Sequence, residues 1–144
     1  MPSSASNGTQ TSLHENLTPW SIFLFADYFF QNTWETRDKY GIILSNKDIY
    51  ISIILCFTTS KVEKYKENLS PSEYIFIPAG TWWIFTKDTL ILIRRWNIHE
   101  IERSKLPWFS PKYLWKLDQP LFEELLSKFR NSPEISNHHK WLFT

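Results

Sequence analysis

Apolar residues in this chain fall into short blocks separated by polar connectors, a spacing that suits strands better than long helices. The first block, WSIFLFAD (Trp20 to Asp27), is too uniformly apolar for a half-exposed edge strand and predicts a buried one. The polar, turn-like segment QNTWETRD follows, from Gln31 to Asp38. Two more apolar runs, Tyr40 to Leu44 and Ile49 to Phe57, flank the tetrapeptide SNKD, a connector of hairpin size. The charged excursion KVEKYKENLSPS, from Lys61 to Ser72, suits either a loop or a single helical turn. Strands are expected again at Tyr74 to Ile77 and Thr89 to Arg94, separated by PAGTWWIFTKD, in which Pro78, Ala79 and Gly80 supply a bend. In NIHEIERSK, Asn97 with Glu100 three residues on fits a helix-capping pattern, and the same segment fits a last strand. Both readings stay open.

The period changes once, near the C-terminus. In DQPLFEELLSKFR, residues Leu121, Phe122, Leu125, Leu126 and Phe129 form one apolar stripe at helical spacing. Asp118 stands at the N-cap position, Pro120 falls where its missing N–H does no harm, and Lys128 and Arg130 complement the negative end of the helix dipole. Residues 1–17, rich in Ser, Thr, Asn and Gln, are expected to be a disordered tail, and residues 132–144 a C-terminal tail. Between them, residues 18–131 predict a single mainly β domain: a small barrel of five to six antiparallel strands with an amphipathic helix laid against it.

Composition narrows this picture. A length of 144 residues suits one core, and an aromatic content of 17%, with only three glycines, favours sheet. The formal net charge of +1 announces no polyanionic partner, although Lys87 to Lys116 carries seven bases against three acids, a local basic bias. Cys56 is the single cysteine and lies inside the apolar run ISIILCF, which predicts an inert buried thiol and excludes both an internal disulfide and a thiolate metal cage. The N-terminal stretch has neither a basic n-region nor an apolar h-region, and no apolar run approaches membrane-spanning length. A cytoplasmic protein without a membrane partner is the expectation. Three Asn-x-Ser/Thr triplets, at Asn7, Asn16 and Asn68, are read as chance matches without a secretory signal.

Familiar catalytic patterns are missing. His99-Glu100 begins like H-E-x-x-H, but Arg103 occupies the fifth position. His138-His139 has no further ligand near it in sequence and reads as a solvated pair, so no metal and no cofactor are expected. There is no P-loop, dinucleotide-binding fingerprint or nucleophile elbow. What remains is a set of donors suited to a phosphodiester. Arg37 and Lys39 stand before one strand; Thr58, Thr59, Ser60 and Lys61 end the next. Joined by a short loop, the two strands should pair antiparallel, which makes Lys39 and Thr58 or Thr59 cross-strand neighbours. A cation beside hydroxyls favours developing negative charge, although lysine and threonine are also ordinary strand-end residues. Trp82, Trp83 and Trp96, or Trp108 and Trp115 among Lys112 and Lys116, offer faces for stacking on unpaired bases, and equally for closing a core or a dimer contact.

The order of these elements resembles that of MazF/PemK-type toxins. SIFLFADYFFQNTWETRDKYGIILSN is similar to the family's first two strands, ISIILCFTTSK to the next, and IFTKDTLILIRRWNIHEIERSKL to a later strand and an isoleucine-bearing segment. The likeness runs from about Trp20 to Phe129 and consists of strand types with few identities. It implies an SH3-like barrel that dimerises and cleaves single-stranded RNA without metal, through the RNA's own 2′-OH, under the control of a cognate antitoxin protein. By position, Thr58 or Thr59 replaces the family's active-site threonine, Lys39 and Arg37 contact the phosphate, and Lys61, Trp82, Arg94 and Arg95 line the groove. Lys39-Tyr40 stands where the family has Arg-Pro, so a flexible point charge replaces a bidentate fork. Loss of chemistry with retention of nucleic-acid or protein binding is the alternative that this departure implies.

Overall fold

The computed structural model describes residues 18–30, 35–45, 51–81 and 84–143, with 26–30 and 35–38 described as backbone only. Seven antiparallel strands dominate them: β1 (Ser21–Phe30), β2 (Glu35–Ile43), β3 (Ser52–Thr59), β4 (Tyr74–Ile77), β5 (Thr89–Leu92), β6 (Ile98–Glu102) and β7 (Lys112–Lys116). Three helices accompany them, α1 (Val62–Lys66), α2 (Gln119–Asn131) and α3 (Asn137–Leu142). The mainly β class expected from the hydropathy pattern is the class that forms. The strand order is β4-β5-β3-β2-β1-β7, with β6 paired to β3 off that path. No pairing joins β4 to β7 among the described residues, so the sheet is open where a barrel was expected. The additional strand, β7, takes the edge of β1 through pairs such as Ser21↔Lys116 and Leu24↔Lys112.

β3 organises the sheet. Its sequence SIILCFTT is buried from Ser52 through Thr58, which is why it reads as a continuous apolar run. β2 pairs with it at Gly41↔Phe57, Ile42↔Cys56 and Ile43↔Leu55. Two further strands meet it in succession: β6 opposite Ser52 to Cys56, and β5 opposite Thr58 and Thr59. Phe57 falls between these two ladders, and there Asn97 substitutes for a strand. Its buried side chain accepts from the Phe57 N–H at 3.1 Å and donates to the Phe57 carbonyl at 3.0 Å and the Leu92 carbonyl at 2.9 Å. Of the two readings of NIHEIERSK, the strand is therefore what forms, and Asn97 closes a gap in the sheet instead of capping a helix.

Alternation along the strands separates two apolar clusters. Ile22, Ile42, Ile54 and Cys56 face the larger one, where α2 contributes Phe122, Leu125, Leu126 and Phe129. Phe23, Phe25, Ile43, Ile53, Leu55 and Phe57 face the smaller one, with Leu106 and Phe109 from the 3₁₀ segment Arg103–Phe109 packed against it. Gly41 sits beneath the edge-to-face pair Phe25–Phe57, whose centroids are 5.7 Å apart. A Cβ at position 41 would lie 2.7 Å from the Phe25 ring, so only glycine lets these two rings meet.

The C-terminal region departs from the expected tail. Ile135, Leu142 and Phe143 are buried in the larger cluster, and Phe143 packs on Phe129 with centroids 6.0 Å apart. Ser136 caps α3 by accepting from the His139 N–H at 3.2 Å. The stripe expected on α2 does form the buried face, and Asp118 occupies the N-cap position without a side-chain cap bond. Of the loop and the helical turn offered for the charged excursion, the helical turn forms, as α1, and a 3₁₀ turn at Pro71–Glu73 leads into β4. Met1 to Asn16 and most of the SNKD connector lie outside the described residues. No helix among the described residues is long and apolar enough to cross a membrane.

Candidate functional site

Beyond Phe57, β3 leaves β2 and turns its last two residues to β5. This divergence opens a hollow of about 250 Å³ between the strands, lined by Lys39 and Tyr40 of β2, Thr58 and Ser60 at the end of β3, Ile84 to Lys87, and Thr89 of β5. Phe85 forms part of its floor, meeting Tyr40 edge-to-face at 5.7 Å. Two lysines, Lys39 and Lys87, four serine or threonine side chains and the Tyr40 phenol thus share one small cavity. Among the described residues, its lining contains no carboxylate and no imidazole.

Lys39 and Thr58 meet here, as the sequence leads one to expect. Lys39 Nζ donates to the Thr58 carbonyl oxygen at 3.4 Å, a contact to backbone and not to the hydroxyl. Thr58 is only 5% exposed, so whatever reaches its hydroxyl enters through the hollow. The threonine pair divides because consecutive side chains on a strand point to opposite faces. Thr58 and Ser60 line the cavity, whereas Thr59 does not; its Oγ1 accepts from the Lys61 N–H at 3.2 Å. Lys61 stands exposed at the start of α1 and contributes nothing to the lining.

Arg94 belongs to a different hollow, of about 420 Å³, shared with Ser72, Glu73, Lys128 and Glu134. There its guanidinium lies 3.0 Å from Glu73 and 3.2 Å from Glu134, so its charge is compensated by two carboxylates. Hydrogen bonds from Ser70, with Arg94 beside it, hold the Glu73 carboxyl below its ordinary pKa. Arg95 is exposed at the start of a 3₁₀ turn and lines neither hollow. Arg37 pairs with Tyr28 in the β1–β2 ladder, but its side chain, like Trp82 as a whole, lies outside the described residues. Trp96 is half exposed and contacts Tyr65; Trp108 and Trp115 are exposed, and neither lines the cavity.

Ser60, one of the donors at the end of β3, lines the cavity too, and Thr86, Lys87 and Thr89 complete it without having been singled out. Period-two alternation from Thr58 points to Ser60, but the other three come from residues 86–89, which reach β3 only through the β3–β5 pairing.

Two titratable groups, one buried and one half-buried, stand apart from the hollow. Burial pushes the Cys56 thiol far up, which keeps it protonated and inert as expected. Burial also pushes the His99 imidazole down to about 4, where it stacks edge-to-face on Phe57 at 4.8 Å. The histidine pair near the C-terminus requires a correction. It is not remote from other ligands, because α3 brings His138 and His139 to Glu100 of β6. No protein-family model matches the chain, and no curated protein matches its sequence.

Proposed function

We propose that the hollow at the β2–β3 divergence binds a phosphodiester of single-stranded RNA and supports metal-independent cleavage through the RNA's own 2′-OH. The observation that carries this reading is that Lys39, Lys87, Thr58, Ser60, Thr86 and Thr89 line one cavity in which the described residues include no carboxylate. A divided cationic site of this kind favours a single phosphate over a long duplex backbone. Lys39 and Lys87 would neutralise the non-bridging oxygens, and the Thr58 and Ser60 hydroxyls would donate to the charge that builds on the phosphorane. The likeness to MazF/PemK-type toxins supports the same chemistry, and with it a cytoplasmic homodimer and a cognate antitoxin as partners. Trp108, Tyr113 and Trp115 are exposed aromatic side chains available for such contacts.

A second reading has its own support. Among the described residues the lining offers neither imidazole nor carboxylate as a proton acceptor, and Lys39-Tyr40 replaces Arg-Pro, so the hollow suits binding without cleavage.

One experiment separates the two. The purified chain is incubated with mixed-sequence RNA oligonucleotides in EDTA, and both binding and cyclic-phosphate products are measured. Cleavage that falls about 10²-fold or more in Thr58→Ala, and is unchanged in Thr59→Ala, supports the nuclease. Binding without products, weakened by Lys39→Ala and Lys87→Ala, supports the module. Two lysines on one strand of RNA predict a slope of log K against log salt near about −1.4. Folded protein that neither binds nor cleaves RNA at low salt eliminates both readings.

A further inference from the structure

We propose a second site, for a late first-row divalent cation of the zinc type, built from Glu100 on β6 and His138 and His139 on α3. Neither element contributes to the hollow at Lys39, and the inference is independent of the RNA reading. Glu100 Oε1 lies 3.4 Å from His138 Nε2 and 3.3 Å from His139 Nε2. One donor atom from each of the three residues lies within 4.8 Å of the other two. Around a tetrahedral zinc with bonds of about 2.0–2.1 Å, neighbouring ligand atoms stand about 3.3 Å apart. Two edges of that tetrahedron are therefore already present, and the half-exposed His138 ring has room to rotate and close the third.

The donor set selects the ion. Two imidazoles with one carboxylate suit zinc, copper, nickel or cobalt, whereas magnesium and calcium require mainly oxygen. Three protein ligands leave a fourth position for water, and the exposure of Glu100 and His138 keeps that position open.

The fold explains why the cluster is held together. Leu142 and Phe143 anchor α3 in the core from one side, and Ser136 fixes its first turn at the His139 N–H. β6 is held through its ladder to β3, with Glu100 opposite Ile54. A bound ion would bolt the C-terminal helix to the sheet across about forty residues of sequence, an anchor additional to its apolar contacts.

The full-length chain, stripped of metal by a chelator and desalted, is titrated with zinc chloride by calorimetry and by thermal melting. Cobalt(II) serves as a spectroscopic probe and magnesium as a control. The expected result is one zinc per chain, a saturable rise in melting temperature, a tetrahedral cobalt absorption band, and no competition from magnesium. His138→Gln and Glu100→Gln should each weaken zinc binding about tenfold or more, since loss of outer-shell partners alone produces 10–100-fold effects. Both side chains are solvent-accessible, so these variants should melt like the parent without metal. An ion pair between carboxylate and protonated imidazoles, with no metal role, predicts no saturable zinc binding, and that result overturns the proposal. Equal zinc affinity in parent and both variants also overturns it, because the ion would then sit on other groups.

Discussion

Asn97 shows how much structure one side chain carries. Three hydrogen bonds link it to Phe57 and Leu92, at the point where neither β5 nor β6 reaches the backbone of β3. Replacing it with alanine leaves a buried N–H and two buried carbonyls unpartnered, each worth about 1–3 kcal/mol. Asn97→Ala should therefore lower the free energy of unfolding by about 3 kcal/mol or more, read from urea denaturation; a loss under about 1 kcal/mol would mean that water takes over its bonds. His99, two residues on, couples the fold to pH. Its imidazole titrates at about 4 in the folded chain because burial disfavours the cation, against an ordinary value near 6.5 once unfolded. The folded state thus holds the ring neutral. As pH falls from about 6.5 to 4 the unfolded chain gains a proton that the folded chain does not, so stability declines through that window and the contribution is fully present above it. The whole effect is at most about 3 kcal/mol, at about 1.4 kcal/mol for each pH unit. Comparing melts of the parent and His99→Phe between pH 4 and 7 checks this: the parent should lose more stability on acidification, and parallel curves would show that His99 does not carry it.

Among the elements, those with a strong internal period were legible and those made by partnership were not. β3, β4, β5 and α2 announce themselves through continuous apolar runs or a helical stripe, and the β2–β3 hairpin pairing followed from its short connector. β7 has no such signal: in KYLWK only Leu114 is even partly sheltered, and the strand exists because β1 offers it an edge. The helix α3 is similarly silent, with two histidines and a lysine in six residues, and depends on Leu142 and Phe143 reaching a core built elsewhere. The site divides in the same way. The hairpin of β2 and β3 brings Lys39 to Thr58, but Lys87 and Thr89 join them only through a pairing some thirty residues distant, and Arg94 is drawn away by Glu73 and Glu134. Because α3 and Phe143 belong to the core, Phe143→Ala should cost about 3–5 kcal/mol. Denaturant midpoints would record it, and a change below about 1 kcal/mol would show that the last residues act as a tail after all.

For the molecule as a whole, the open sheet turns on one strand that pairs with three others. β3 holds β2 along one edge and β6 followed by β5 along the other, its side chains enter both apolar clusters, and its end forms a wall of the hollow. A member shared so widely cannot be loosened in part. Deuterium should enter the amides of Ile54, Leu55 and Cys56 only in the rare excursions that melt the entire chain, so their exchange would track global stability, whereas the amides of α1, where no residue is buried, would exchange through small openings. The same keystone ties the two proposed ligand sites to a common support, since Glu100 lies opposite Ile54 and Thr58 lies four residues along the same strand. An occupant at either end would then slow solvent access to the middle.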